Sequence, residues 1–277
     1  MINSQLFAPV LPLRNYIQYF MVGHVTDRGD LPENHEIFPL NITAISFLEK
    51  PGLLYYNNQA DSSLIPADPI TFVGPMTYKG ITQFHKTGKM VTIVFTAVGL
   101  FTFFALKMSD IVDTAGNGTE IIYDPELIQC REYYFGSESI GDAIRVLENY
   151  FLTQLDKKKT DLRNIDRITQ FINDRKGNIN LDGLISHANM STKTFERHFS
   201  EKVGLAPKLF SRIVRFSHSM KMLDQKKDVF DIIDSCGFVD QAHFIKEFKH
   251  FAGETPKYYY EGLDGIPKLF LDNSIQA

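Results

Sequence analysis

Two periods run along this chain. Up to about residue 125, apolar positions come in short β-branched and aromatic runs such as ITAISFLEK, SSLIPADPITFVG and KMVTIVFT. Pro-Gly, Asn-Asn and Gly-Lys steps separate them. Runs of this kind predict strands joined by turns, and a succession of them without long helices predicts an antiparallel sandwich or barrel. After Gly99 the text changes, and LFTFFALKMSDIVD reads as a helix packed against that sheet. IGDAIRVLENYFLTQLDKKK (140–159) places Ile140, Ala143, Ile144, Val146, Leu147 and Phe151 on one helix face. The charged run LDKKKTDLRN then marks a domain junction. From Asn164 onward the period is helical throughout, in seven segments: DRITQFINDR, LDGLISHA, STKTFERHFSEKV, PKLFSRIVRFSHSMKML, VFDIIDSC, DQAHFIKEFKHF and PKYYYEGL. The expected fold is therefore α+β with two domains, an N-terminal antiparallel β-barrel with flanking helices and a C-terminal all-α domain.

The helical part contains one unit twice. Leu184-Ile185 answers to Ile232-Ile233 at an offset of 48, as does Asn189 to Gly237. After a one-residue insertion the offset becomes 49, pairing Ser191 with Asp240, Phe195 with Phe244, Arg197 with Lys246 and Phe199 with Phe248. Gly204-Leu205-Ala206-Pro207 likewise pairs with Gly253-Glu254-Thr255-Pro256. Asn189 and Gly237 are residue types that accept positive φ, as a tight turn between helices requires. Ser191 and Asp240 are preferred N-caps, and the Phe pairs at i, i+4 anchor one helix face in a core. The opposite face presents Lys193, Thr194, Glu196 and Arg197 in one copy, and Gln241, Ala242, His243 and Lys246 in the other. A helix, a short turn and a capped helix with a polar outer face make a helix-turn-helix. The competing reading is a duplicated helical hairpin that touches no DNA.

Charge agrees with the first reading without deciding it. Residues 163–262 hold 16 Lys and Arg against 13 Asp and Glu, a net +3 in a chain whose total is −4. Five of the eight histidines, His187, His198, His218, His243 and His250, fall in the same part. Cys130 and Cys236 stand far apart without a CxxC partner and are expected to be buried thiols in a reducing cytoplasm. The start of the chain lacks the order of a secretory signal, and no apolar run approaches the ~20 residues that cross a bilayer. The expected location is cytoplasmic, with no membrane contact.

Residues from about Asn164 to Gly262 resemble the DNA-binding domain of AraC/XylS-type transcription regulators. The resemblance is carried by Ile232-Ile233-Asp234-Ser235-Cys236-Gly237-Phe238 through Phe248, followed by Gly253-Glu254-Thr255-Pro256-Lys257-Tyr258-Tyr259, with Arg215 in the helix between the units. Two departures from the pattern involve three residues. Ile185 and Ile233 stand where the family has alanine, and Tyr260 where it ends in arginine. The resemblance implies that Lys193, Thr194, Glu196, Arg197, Gln241, His243 and Lys246 face bases, with Arg197 suited to guanine O6/N7 at ~1–3 kcal/mol of discrimination. Gln241 is suited to adenine or to phosphate, and Glu196 to cytosine N4 or to an ion pair with Lys193 or Arg197. Lys202, Arg212, Arg215 and Lys249 are expected phosphate positioners or plain surface charges. The partners implied are double-stranded DNA, RNA polymerase and a small-molecule effector; no cofactor or metal is expected.

The first half resembles the cupin-like sensor domains of the same family. The expected layout is a cupin-like regulatory domain over 1–135, a helical linker over 136–162, the double helix-turn-helix domain over 163–265 and a tail over 266–277. Tyr55, Tyr56, Phe84, Phe95, Phe101, Phe103 and Phe104 either line an apolar pocket or fill the core. His24, His35 and His85 lack the close spacing of a metal site, and GxSxG, HExxH and phosphate-binding Gly-rich loops are missing. The chain is read as a ligand-responsive activator, not an enzyme. The alternatives are a metabolite-binding or enzymatic barrel with an appended DNA-binding domain, and a regulator whose N-terminal domain only dimerises. The 140–159 helix either pairs with its copy in a homodimer or caps the barrel.

Overall fold

A computed structural model describes residues 2–25, 35–49, 53–56, 64–66, 69–84, 88–157, 161–162, 164–180, 191–260, 271 and 275–276. The N-terminal half builds two sheets. The larger orders β10 (Ala115–Asn117), β7 (Ile70–Val73), β4 (Thr43–Leu48), β9 (Gly88–Phe95), β2 (Ile17–Val25), β1 (Ile2–Phe7) and β11 (Ile275–Gln276). Every pairing is antiparallel except β1 with β11. The smaller sheet orders β3 (His35–Ile37), β8 (Gly80–Phe84), β5 (Leu53–Tyr56) and β6 (Leu64–Pro66). The barrel expected from the sequence is not closed: among the described residues the strands form two open sheets.

Side chains alternate across each strand, and here both faces are covered. Phe20, Ile45, Phe47, Phe72, Val91, Ile93 and Phe95 face the helices, while Tyr19, Met21, Leu48, Met90 and Val94 form a separate cluster. On that second side Ser46 and Thr92, opposite each other on β4 and β9, satisfy one another at 2.9 Å.

The helical cover is α1 (Gly99–Phe104), α2 (Gly118–Ile121), α3 (Pro125–Gly136) and α4 (Ile140–Lys157). LFTFFALKMSDIVD is not one helix. Ala105 at φ 54 ends α1, and a 3-10 turn, Met108–Ile111, follows. Of the aromatic cluster, Phe95, Phe103 and Phe151 pack as a core layer, with Phe103 and Phe151 centroids 4.7 Å apart. The side chains of Tyr55, Tyr56 and Phe84 lie outside the described residues. In α4, Ala143, Ile144, Leu147 and Phe151 are buried in the core shared with the sheet, so that face caps the sheet.

The C-terminal half is helical: α5 (Ile165–Asp174), α6 (Thr192–Val203), α7 (Pro207–Asp224), α8 (Val229–Cys236), α9 (Gln241–Ala252) and α10 (Pro256–Tyr259). LDGLISHA and the Asn189 turn lie outside the described residues. The helical half shares a core with part of the N-terminal half. Phe38 meets Phe216 and Tyr259 edge-on at 6.4 and 5.4 Å, and the Ser217 hydroxyl donates to the Leu40 carbonyl. No helix among the described residues is long and apolar enough to cross a membrane.

Candidate nucleic-acid interface

The repeat read in the sequence is a repeat of geometry. Ser191 caps α6 by accepting from Thr194 N at 3.3 Å, and Asp240 caps α9 by accepting from His243 N at 2.7 Å. Both helices stop on a left-handed glycine, Gly204 at φ 89 and Gly253 at φ 79. Both stops lead, two residues further, into the cap of a helix with Pro in its first turn. The anchoring pairs coincide too: Phe195 and Phe199 centroids are 5.7 Å apart, as are Phe244 and Phe248.

Between the units runs α7, an 18-residue helix about 27 Å long at 1.5 Å per residue. Phe210 on it packs against Phe199 of the first unit at 5.5 Å, and Phe216 against Phe248 of the second at 5.3 Å. One helix thus serves as a spine for both. The turn between α8 and α9 depends on Gly237, at φ 67. A Cβ there would lie 2.3 Å from the Asn178 amide nitrogen, so that side chain would have to move, and the positive φ would strain any residue but glycine.

With the apolar face of each helix fixed inward, the outer face is decided. Lys193, Glu196 and Arg197 are exposed on α6, and Gln241 and Lys246 on α9, with Lys249 near its end. Arg197 and Lys246 occupy equivalent positions. Arg197 pairs with Glu201 one turn on, at 3.1 Å, rather than with Glu196. Thr194 and His243, also equivalent, are half-buried in the first turn. The Thr194 hydroxyl lies 2.9 Å from that of Ser191, and His243 Nδ1 accepts from Val239 N at 3.3 Å.

Three of the expected phosphate positioners have partners inside the protein. Arg212 makes two 2.8 Å hydrogen bonds to Glu247 and lies over the Phe251 ring. Burial alone would raise the Glu247 carboxyl; the hydrogen bonds and charge of Arg212 outweigh it and hold the group below its ordinary range. Arg215 donates to the Gly177 carbonyl at 3.2 Å and stacks over Phe238, and its burial disfavours the charged form. Lys202 is buried, its ammonium 5.3 Å from the centre of the Phe101 ring in the N-terminal half. These partners are not legible in the sequence, because each is joined to its cation by packing, not by spacing. Only Lys249 of the four stands free of the core at the surface.

The relations to known proteins follow the same division. A family model described as a helix-turn-helix domain matches residues 184–261. Residues 184–261 form an AraC/XylS-type helix-turn-helix domain. This AraC-type domain is similar to the HTH-type transcriptional activator RhaS of Escherichia coli O1:K1, 28% identical over 89 residues that make up 32% of this chain and 32% of that protein. RhaS of Escherichia coli O9:H4 strain HS is 27% identical over the same length. The chain spans about a third of the length of the curated relatives it matches. Residues 5–117, outside the AraC-type domain, match a family described as a domain of unknown function, DUF6597. Among solved structures, ToxT from Vibrio cholerae O395 aligns over 89% of this chain and 98% of its own, at 12% identity and a TM-score of 0.49. No group of three or more His, Cys, Asp or Glu side chains suited to a metal occurs among the described residues. Both cysteines are buried thiols, pushed up to about 11, Cys130 by burial with Asp124 and Glu126 nearby and Cys236 by burial against the opposing charges of Lys176 and Arg215.

Proposed function

We propose that the chain is a sequence-specific double-stranded DNA-binding transcription regulator, an activator that answers to a small ligand in its N-terminal half. The observation that carries this reading is the pair of equivalent capped helices, each with an exposed basic outer residue, mounted on one rigid spine. The outer face of a helix fits the major groove, where Arg reads guanine and Gln or Lys the neighbouring bases. Lys193, Glu196 and Arg197 are then the base-facing group of the first unit, and Gln241 and Lys246 that of the second. Thr194 and His243 shape the first turns beside them. Lys249 is left as the phosphate contact, while Arg212, Arg215 and Lys202 hold the domain together. RhaS, named as an activator, supports the direction of control. The two open sheets of the N-terminal half are read as a cupin-like sandwich that carries the sensor. RNA polymerase and a second copy of the chain are the further partners in this reading, and the cytoplasm its location.

Selection of binding sites from random duplex DNA by the full chain tests this reading. Two short motifs about 10 base pairs apart are expected, one blurred by Arg197→Ala and the other by Lys246→Ala. Weak, salt-sensitive binding without sequence preference would show the repeat to be only a basic scaffold.

A further inference from the structure

A cleft of about 510 Å³ opens between the helix-facing side of the larger sheet and the turn joining α3 to α4. Its volume is that of a small-molecule site. The sheet wall is set by strand register. His24 on β2 and Lys89 on β9 are directly opposite each other, so their side chains leave the same face about 5 Å apart at Cβ. Both are exposed, and among the described residues no carboxylate lies within salt-bridge reach of the Lys89 ammonium. Side by side on one face, the two side chains can both donate a hydrogen bond to one anion.

The helical wall supplies the second observation. Tyr134 is 7% exposed and borders the cleft. No protein group among the described residues pairs with its hydroxyl, which solvent reaches, so a molecule in the cleft can donate to it or accept from it. Ser137 and Ser139 close the turn by bonding to each other and to Asp142 N. Beside these polar groups, Val22, Ile140 and Ala143 give the cleft an apolar floor. Glu138 is the one carboxylate lining it among the described residues.

We propose that this cleft binds a small organic anion, with its acidic group held by Lys89, His24 and the Tyr134 hydroxyl and its apolar body on Val22, Ile140 and Ala143. As the effector site of the regulator it rests on the function proposed above; as a binding site it does not. Because α4 begins at the cleft, an anion gripping both walls fixes the start of that helix to the sheet.

Calorimetric titration of the full chain with phenylacetate, phenyl phosphate and the uncharged 2-phenylethanol tests it. At least one of the two anions binds and the alcohol does not; which anion binds tells a carboxylate from a phosphate ester. Lys89→Gln, an exposed change that leaves the core intact, weakens the anion by about tenfold or more, and Tyr134→Phe by about fivefold. The proposal fails if neither anion binds, if the alcohol binds as tightly, or if both variants bind the anion like the parent. Site selection on the same protein separates the two readings. DNA recognition without anion binding overturns the cleft alone, and anion binding without DNA recognition overturns the regulator alone.

Discussion

Glu247 turns its carboxylate inward, to a partner on the spine helix α7. It lies on α9, about 100° round the helix from the exposed Lys246, and takes both hydrogen bonds of the Arg212 fork. Its carboxyl is held below the ordinary range, so the folded state binds its proton less readily than the unfolded chain. Stability from the pair is therefore full above the ordinary Glu value of about 4.3 and drains as pH falls through the lower folded value. Glu247→Gln is expected to cost about 1–3 kcal/mol at neutral pH, and the gap between parent and variant to close below about pH 4. Urea unfolding at the two pH values reads both numbers. An equal gap at both would mean that the carboxylate charge plays no part.

Among elements, α9 was the most legible from sequence and α6 close behind. Their caps, glycine stops and Phe pairs are all set by neighbours within about one turn, and local spacing carries that information. Asp240→Ala removes the side-chain acceptor of the His243 amide and is expected to cost about 1 kcal/mol, measured as a shift of the urea midpoint. Asp240→Asn, which keeps an acceptor, should recover most of it. The α4 helix was equally plain, its buried positions recurring at helical spacing. The sheets were less so. β4 is buried along all six residues, so the alternation that marks a half-exposed strand is missing, and nothing local tells a closed barrel from two open sheets. The break at Ala105 was hidden for a similar reason: LFTFFALKM has no Gly or Pro to announce a left-handed residue. The inward roles of Lys202, Arg212 and Arg215 needed partners more than 20 residues away, beyond what any local pattern holds.

At the scale of the molecule the decisive feature is the core that crosses between the halves. Phe38 and Leu40 belong to the same cluster as Phe216, Phe248 and Tyr259, and α6 ends against the N-terminal half. A Cβ on Gly204 would meet the Pro75 ring at 2.7 Å and the Met108 carbonyl at 2.9 Å. Halves joined this closely should melt together. Differential scanning calorimetry of the full chain is expected to show one transition. Phe38→Ala, at a cost of about 3–5 kcal/mol, should divide it into two; two transitions already in the parent would show the shared core to be too weak to couple the halves. The same contact also orders events in time. The Ser217 partner of Leu40 is made 177 residues later, about 10 to 35 s of synthesis at cellular rates. For that interval the newborn chain must hold Phe38 and Leu40 open to water or to a chaperone, and the connection between β3 and β4 that carries them becomes the first place where a slowed ribosome would turn into aggregation.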